Sequence, residues 1–270
     1  MIIISVNIMG GLGNQLFQIA TGYAYARKIG ETFQILKITN SGNRPVYWNT
    51  ILQKLNPYLV SFLPEHMYQW SEISGTLYTE IPHLPYSMYL NGYYQSSKYF
   101  GDEIVQQEIK NLFKSPEELR NNVSEKYKWL LVDKDRVVVV HARRTDYLKN
   151  EHNINYHGPL TPEYYEKAIE NIKSVVSDPI WVFTSDDNSF WESVPCISSL
   201  SNVYILNEDS DIFTFTLLQE FHNYIMSNST FIWWCIWLSN AKKVIAPAQW
   251  FGPSGPKQFT DIYEKGWELI

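Results

Sequence analysis

The chain has 270 residues, a length that suits one large domain or two modest domains with separate cores. Its formal net charge of −6 excludes the basic surface that a general nucleic-acid binder needs. Two cysteines, Cys196 and Cys235, are too few for a disulfide framework and favour a reducing compartment. The N-terminal residues lack the basic region of a signal peptide, and their apolar stretch is too short to cross a bilayer. The sequence therefore predicts a soluble, cytoplasmic protein.

Residues 1–133 are predicted to form an N-terminal domain. Residues 2–9 indicate a buried strand that enters a glycine turn and then an amphipathic helix, the order that opens a βαβ unit. Leu16 stands where a dinucleotide fingerprint has its third glycine, and no P-loop lysine follows, so a tight turn without a ligand is an alternative. The other predicted elements are a strand at 33–38, irregular structure at 39–100 with a strand beginning at 89, a helix at 102–113 and a second helix that begins near 116 and ends near 126.

Residues 134–270 are predicted to form a second domain in which strands alternate with helices. Four consecutive valines at 137–140 indicate a strand that is buried on both faces of a parallel sheet. The other predicted elements are strands at 180–183, 203–206, 225–226 and 244–246, helices at 162–176, 213–224 and 231–238, and a polar loop at 149–159. This alternation is typical of a doubly wound α/β fold.

His141, Arg143, Arg144 and Asp146 follow the valine strand. Ligands of open α/β sheets bind outside the carboxyl ends of the strands, and adjacent arginines suit a phosphate or pyrophosphate. Arg143 or Arg144 is therefore a candidate to neutralise a departing pyrophosphate, with Asp146 orienting one guanidinium. The alternative is a structural arginine–aspartate ion pair beside a core histidine.

The Ser-Asn-Ser-Thr run at 227–230 precedes an apolar helix. An N-cap explains it without a ligand, but the free N–H groups of a helix N-terminus also form a ready phosphate site. Two acidic runs, Asp186-Asp187 and Asp209-Ser210-Asp211, are candidate metal ligands. The second is an Asp-x-Asp tripeptide that can hold Mg²⁺ or Mn²⁺ on a nucleotide diphosphate, although loop carboxylates are usually solvated. Asp187 could instead accept hydrogen bonds from a nucleobase.

Six runs, in order along nearly the whole chain, resemble glycosyltransferase family 11, the α-1,2-fucosyltransferases that use GDP-fucose, in their soluble, bacterial-type members. The runs are 10–18 (GGLGNQLFQ), 90–96 (LNGYYQS), 141–147 (HARRTDY), 183–187 (FTSDD), 227–231 (SNSTF) with Trp233-Trp234, and 244–247 (VIAP). Three positions depart from the pattern: Thr145 and Cys235 replace a usual glycine, and Ile232 a usual serine. Bulk at these positions beside the donor pocket would change donor choice or lower activity.

The resemblance implies an α/β fold of GT-B architecture, with two Rossmann-like halves facing across a cleft. Residues 1–133 would take the acceptor, and residues 134–270 the GDP-sugar. It implies an inverting, metal-independent transfer of L-fucose from GDP-fucose to the 2-hydroxyl of a galactoside. The partners would be GDP-fucose and a galactose-containing glycan, with no cofactor and no nucleic acid; peripheral association with a membrane stays open.

The resemblance also implies roles for single residues. The catalytic set would be Arg143, Arg144, Asp146 and Asn14, with one of the two arginines at the β-phosphate and the leaving oxygen. The donor-binding set would be Gly13, Gln15, His141, Ser185, Asp187, Asn228, Ser229, Thr230 and Phe231. Asp146 is the nearest candidate for the base that deprotonates the acceptor, although an ion-paired carboxylate makes a poor base at neutral pH.

Two other functions stay open at this point. One is a metal-dependent glycosyltransferase that is built on Asp209 and Asp211 and uses another nucleotide sugar. The other is a non-catalytic GDP- or sugar-binding protein, which the departures at Thr145, Ile232 and Cys235 would permit.

Overall fold

The computed structural model describes residues 1–73 and 77–270, which form two compact units. Unit 1 comprises Met1–Pro116 and Gln258–Glu264, and unit 2 comprises Glu117–Lys257 and Lys265–Ile270. The first division therefore falls after residue 116, whereas the sequence predicts it after residue 133. The reason is that α3 (Glu117–Lys126) packs against α7 (Asp211–Leu218), a helix of unit 2.

Unit 1 contains a parallel sheet with helices and several short strands. Its elements are β1 (Ile3–Val6), α1 (Leu12–Ile29), β2 (Thr32–Phe33), β3 (Ile35–Leu36), β4 (Asn40–Ser41), β5 (Arg44–Pro45), β6 (Leu59–Val60), β7 (Tyr68–Ser71), β8 (Met88–Asn91) and α2 (Glu103–Leu112), with 3-10 helices at Gln53–Tyr58, Ser97–Phe100 and Thr260–Ile262. Over the described residues, the main sheet has four parallel strands in the order β2-β1-β8-β7.

The predicted strand, glycine turn and helix at the start of the chain are confirmed. Gly10 adopts a φ of 75°, a left-handed conformation that favours glycine, and α1 begins directly after Gly11. The predicted helix at 102–113 is also confirmed as α2, whose N-cap Asp102 accepts a hydrogen bond from the backbone N–H of Val105.

Two predictions for this unit need correction. The strand predicted at 33–38 is divided, because residues 32–33 pair with β1 whereas residues 35–36 pair with β6 in a separate sheet. The stretch predicted to be irregular, 39–100, contains β4 to β7 as strands of two to four residues. Residues 74–76 of that stretch lie outside the described residues.

Unit 2 is a doubly wound sheet. Its elements are α3, α4 (Lys128–Val132), β9 (Val137–Ala142), α5 (Glu151–His157), α6 (Pro162–Lys173), β10 (Ile180–Ser185), β11 (Val203–Ile205), α7, β12 (Asn223–Ile225), α8 (Thr230–Leu238), β13 (Lys243–Ala246) and β14 (Glu268–Leu269). Among the described residues the strand order is β11-β10-β9-β12-β13-β14, and all the pairs are parallel. Every residue of β9 is buried, which confirms the interpretation of the valine run.

Three predictions for unit 2 were wrong. Residues 149–159 are not a loop throughout, because α5 occupies 151–157 with the side chain of Asn150 as its N-cap. The helix predicted at 213–224 ends at Leu218, since residues 223–225 leave it to pair with β9 and β13. The strand β14 extends the sheet beyond β13, which the sequence predicts as the last strand.

No helix within residues 1–73 and 77–270 combines the length and apolar character that a membrane span requires.

Candidate active site

The strand order of unit 2 reverses beside β9. From β9 the chain proceeds outward through β10 and β11, and it then returns to the other side of β9 with β12 and β13. Such a reversal is the point at which open α/β sheets bind ligands, outside the carboxyl ends of the strands. The segments that leave β9 and β12 here carry His141–Asp146 and residues 226–229, two of the predicted motifs.

Arg143 lies between two carboxylates. Its Nε donates to Asp146 Oδ1 at 2.8 Å, and its Nη1 lies 3.2 Å from Asp186 Oδ2. Burial by itself lowers the pKa of this guanidinium, but the hydrogen bond to Asp146 and the two negative charges outweigh it and raise the pKa above its ordinary value. Arg143 is therefore permanently charged and held in one orientation, with its side chain 23% exposed.

Arg144 has different surroundings. Its guanidinium carbon lies 4.1 Å from the ring centroid of Phe190, a cation–π contact. Its Nη1 donates to the carbonyl oxygen of Leu160 at 2.8 Å. The two neighbouring arginines thus divide into one that pairs with carboxylates and one that packs on an aromatic ring.

Asp186 joins the loops after β9 and β10. Its carboxylate accepts hydrogen bonds from the backbone N–H of Arg144 at 2.7 Å, from the N–H of Thr145 at 3.2 Å and from the Thr145 hydroxyl. Together with the Arg143 pair, these contacts fix the segment that carries both arginines. Thr145, a departure from the family pattern, is therefore a further hydrogen-bond donor to Asp186.

Ser185 and Asp187, the neighbours of Asp186, are predicted donor ligands, whereas the sequence indicates Asp186 only as a candidate metal ligand. Asp187 Oδ1 accepts from the N–H and the hydroxyl of Ser189 and so caps a 3-10 helix, Asn188–Ser193. Ser185 Oγ accepts from the N–H of Asp187 at 3.0 Å. The register pairs Ser185 with Ala142, so residue 186 continues opposite Arg143, and this parallel register was the signal that could have found it.

His141 is buried at the same edge. Its Nδ1 lies 2.8 Å from Ser227 Oγ, a bond that links the ends of β9 and β12, and its ring stacks on Phe231 at 6.1 Å. Burial lowers the pKa of His141 to about 3, an effect that the Arg143 charge reinforces and the Asp186 charge opposes. The imidazole is therefore neutral at pH 7.

The N-terminus of α8 contains the Ser-Asn-Ser-Thr run. Ser229 occupies the N-cap position, yet within the described part of the chain its side chain caps no helix N–H. Thr230 is the first helical residue, and Phe231 follows it. A capping role for the Ser229 side chain therefore does not explain the motif, and the N–H groups of the first turn stay candidates for a phosphate.

Asn228 has a structural function. It is buried, and its Nδ2 donates to the carbonyl oxygens of His157 at 2.6 Å and Trp250 at 2.8 Å. The backbone carbonyl oxygen of Asn228 accepts a hydrogen bond from the Tyr147 hydroxyl at 2.8 Å. Asn228 thus orders the loops around α8, and its role as a donor ligand stays a prediction.

The remaining two departures from the family pattern lie in the core. Ile232 and Cys235 are both fully buried within α8, and Cys235 Sγ contacts the carbonyl oxygen of Phe215 at 3.8 Å. Burial raises the pKa of the Cys235 thiol well above its ordinary value, so it behaves as an inert apolar side chain.

Three predicted site residues belong to unit 1 and lie on α1. Asn14 Oδ1 accepts from Gln95 Nε2 at 2.9 Å. Gln15 is fully buried, and its Nε2 donates to the backbone carbonyl oxygens of Gly10 and Pro45. These two bonds hold the glycine turn in its conformation. Gly13 is buried in the first turn of the helix.

Asp209 and Asp211 flank a helix start. Ser210 between them is the N-cap of α7, and its Oγ accepts from the N–H of Phe213 at 3.2 Å. Among the described residues, no three His, Cys, Asp or Glu side chains come together as a metal site. The Asp-x-Asp tripeptide therefore has a local explanation in the capping of α7.

Solved structures identify the class to which this fold belongs. Fucosyltransferase NodZ from Bradyrhizobium superposes with a TM-score of 0.61 and 14% identity, covering 96% of this chain and 98% of that one. POFUT1 in complex with GDP superposes with a TM-score of 0.52 and 11% identity, covering 99% and 97%. The fold is thus the α/β fold of GT-B fucosyltransferases, as the sequence predicts.

The chain belongs to glycosyl transferase family 11, whose model matches residues 2–270. Its relatives include the O-antigen biosynthesis glycosyltransferase WbnK of Escherichia coli, 28% identical over 94% of this chain and 96% of that protein. An α-1,2-colitosyltransferase of Escherichia coli is 25% identical over 98% of both chains. Galactoside α-(1,2)-fucosyltransferase 2 of Oryctolagus cuniculus is 27% identical over 93% of this chain and 71% of that protein. The predicted family is confirmed.

Proposed function

We propose that this family 11 glycosyltransferase transfers L-fucose from GDP-fucose to the 2-hydroxyl of a galactoside, with inversion and without a metal. The observation that carries the proposal is the guanidinium of Arg143, fixed by Asp146 and Asp186 at the switch point of the unit 2 sheet. The likeness to galactoside α-(1,2)-fucosyltransferase 2 supports the donor and the linkage.

Arg143 would bind the β-phosphate and stabilise the leaving oxygen. A guanidinium has five N–H donors, and the contacts with the two carboxylates use Nε and Nη1. Its remaining donors and its charge, already oriented, would meet the negative charge that develops as the bond to the sugar breaks. Arg144 packs on Phe190 and bonds Leu160, so it would mainly hold the loop in place.

Two other groups of unit 2 would complete the phosphate site. The N-terminus of α8 presents backbone N–H groups, which attract a phosphate without any added cation. His141, neutral and bonded to Ser227, would line the site without adding charge. Charge neutralisation through arginine and helix N–H groups is the role that a divalent metal plays in other glycosyltransferases, so the proposed transfer needs none.

The roles of the two units follow from this assignment. Unit 2, which carries Arg143 and α8, would bind the GDP-sugar, and unit 1 would bind the acceptor galactoside. Transfer of colitose in place of fucose is a specific alternative, because the α-1,2-colitosyltransferase of Escherichia coli matches this chain over nearly its whole length.

The test is a donor panel that is assayed with the full chain. GDP-fucose, GDP-colitose and other nucleotide sugars are each combined with an array of galactosides, with and without excess EDTA, and calorimetry measures the binding of GDP. We expect an α-1,2-linked fucosyl product, identified by NMR, at a rate that EDTA leaves unchanged. Preference for GDP-colitose would favour the second donor, loss of activity in EDTA would indicate a metal-dependent enzyme, and GDP binding without transfer would indicate a binding protein.

A further inference from the structure

His157 is the last residue of α5 and belongs to none of the predicted site motifs. Its side chain is partly exposed. Within the described part of the chain, neither ring nitrogen makes a hydrogen bond, and neither is among the fully buried polar atoms. Both nitrogens are therefore accessible to a ligand. A neutral imidazole in this state can donate one hydrogen bond and accept another.

The ring of His157 lies beside the loop after β9. It stacks on Tyr147, with the ring centroids 4.1 Å apart and the ring planes 4° apart. Tyr147 directly follows Asp146, and its hydroxyl donates to the backbone carbonyl oxygen of Asn228 at 2.8 Å. Asn153, also in α5, donates from its Nδ2 to the backbone carbonyl oxygen of Asp146 at 2.7 Å. The loop after β9 and α5 are thus joined at two points.

The backbone of His157 reaches the segment that precedes α8. Its carbonyl oxygen accepts a hydrogen bond from Asn228 Nδ2 at 2.6 Å. Asn228 lies two residues before Thr230, the first residue of α8. His157 therefore contacts both segments of unit 2 to which we assign the phosphates, namely the loop after β9 and the residues before α8.

A neighbouring loop holds the end of α5 in place. Gly158, directly after His157, has a φ of 62°, a left-handed conformation that favours glycine at the end of a helix. A Cβ on Gly252 would collide with the backbone of Asn155 and Gly158, so no larger residue fits there. The N–H of Gly252 donates to the carbonyl oxygen of Tyr156 at 2.9 Å. The backbone that carries the imidazole is therefore fixed.

The surroundings of His157 favour a neutral ring in the free protein. Burial lowers the pKa of the imidazole below its ordinary value; the charge of Asp146 opposes this shift, and the charges of Arg143 and His152 add to it. The other titratable groups packed against the ring are the phenols of Tyr147 and Tyr156. The adjacent segments 227–230 and 250–256 contain no charged side chain.

A bound diphosphate would change this balance. Arg143 and Arg144 carry two positive charges at this edge of the sheet. Asp146 and Asp186 carry two negative charges, so the four side chains together are neutral. The negative charge of a diphosphate favours the protonated form of a nearby imidazole. A protonated ring forms the charge-assisted, stronger type of hydrogen bond to a phosphate oxygen.

We propose that the imidazole of His157 is a further ligand of the donor diphosphate, which donates a hydrogen bond to a phosphate oxygen and takes up a proton from solvent as the nucleotide binds. This inference rests on the proposed function, because that function assigns the diphosphate to unit 2. The proton returns to solvent when GDP leaves. His157 thus supplies a positive charge only while the phosphates are present, whereas the charge of Arg143 is permanent.

The test is GDP calorimetry on the full chain at about pH 6.5, near the ordinary pKa of histidine. Buffers of different ionisation enthalpy give the number of protons taken up for each GDP bound. His157→Phe keeps a ring that can stack on Tyr147 but removes both nitrogens. We expect its GDP affinity to fall by about ten- to a hundredfold, the loss for a hydrogen bond to a charged group. We also expect it to take up fewer protons than wild type; any proton that GDP itself gains or loses is common to both proteins.

His157→Gln separates the hydrogen bond from the proton. Glutamine keeps an N–H donor but does not titrate. We expect this variant to lose less GDP affinity than His157→Phe and to show the same reduction in proton uptake. The control is His66→Phe, which makes the same change at an exposed histidine of unit 1 and should match wild type in both measurements. Should the phenylalanine variant fail to fold, the glutamine variant decides the point.

Failure of this inference differs from failure of the proposed function. If the wild-type chain binds no GDP, the proposed donor is wrong. If wild type binds GDP and both His157 variants match its affinity and proton uptake, the assignment of His157 alone is overturned. A lower affinity with unchanged proton uptake would indicate a purely structural role for the ring and would also overturn the assignment.

Discussion

Asp186 Oδ2 lies 3.2 Å from Nη1 of Arg143, and the same carboxylate accepts the backbone N–H of the next residue, Arg144. One side chain on the loop after β10 thus fixes both the charge and the backbone of the loop after β9. Two carboxylates beside the Arg143 guanidinium leave a formal charge of −1, which the guanidinium of the neighbouring residue Arg144 cancels.

Replacement of Arg143 should abolish transfer without unfolding the chain. Arg143→Ala removes the oriented charge that we assign to the leaving oxygen, and the loss of such a group costs about 10² to 10³-fold in kcat. Steady-state kinetics and GDP calorimetry measure the effect, and circular dichroism verifies the fold. Arg136→Ala is the matched control, since Arg136 pairs with Asp178 on the surface. Wild-type kinetics in Arg143→Ala would refute the role.

Arg144→Ala should act chiefly on stability. The change removes the cation–π contact with Phe190 and the bond to Leu160, which together are worth about 1 to 3 kcal/mol. We expect a lower urea midpoint and a smaller loss of kcat than in Arg143→Ala. If Arg144→Ala folds as stably as wild type but is the less active of the two variants, the leaving oxygen belongs to Arg144.

Asp186 and Asp187 offer a direct contrast between adjacent residues. Asp186→Ala removes one of the two carboxylates that hold the Arg143 guanidinium and leaves two backbone N–H groups without their acceptor, so we expect GDP affinity to fall by about tenfold or more. Asp187→Ala removes a cap from a 3-10 helix and should change GDP affinity little. Calorimetry on both variants decides the point. A larger loss of GDP affinity in Asp187→Ala than in Asp186→Ala would support the nucleotide contact that the sequence predicts for Asp187.

His141 predicts a pH dependence of stability. Its pKa is about 3 in the folded chain and near its ordinary 6.5 in the unfolded chain, so acid adds a proton to the unfolded state first. Its contribution to the free energy of unfolding is therefore fully present above pH 6.5 and is lost as the pH falls from 6.5 toward 3. His141→Gln does not titrate, so its urea stability should decline less than that of wild type between pH 7 and pH 5. Parallel declines in the two proteins would contradict the assignment.

The fold was predictable where an element carries its own signal. The valines of β9 and the glycine turn before α1 specify a buried strand and a helix start without help from distant residues. Helix α5 has no buried residue, so no apolar period marks it, and only its Asn150 cap indicates a start. Apolar side chains at helical spacing over residues 213–224 predict a helix that overlaps strand β12, and the pairing of β12 with β9 decides the outcome.

Residues of the candidate site were also predictable only where the signal is local in sequence. Arg143, Arg144 and Asp146 are contiguous and were found together. The contacts of Asp186 with Arg143 and with the backbone after it were not predicted, because they depend on the register of β10 against β9. The bonds from Asn228 to backbone carbonyl oxygens are likewise not revealed by any local pattern, and its role as a donor ligand stays a prediction.

The amide of Asn228 connects three segments that are distant in sequence: the end of α5, the residues after β13 and the start of α8. Because these bonds form within the folded chain, the conformational entropy of shaping the surroundings of α8 is lost during folding and is not lost again when a nucleotide arrives. The site should therefore behave as a rigid receptor, with fast association and a small heat-capacity change on GDP binding. In Asn228→Ala, the loops around α8 would have to become ordered each time a ligand binds.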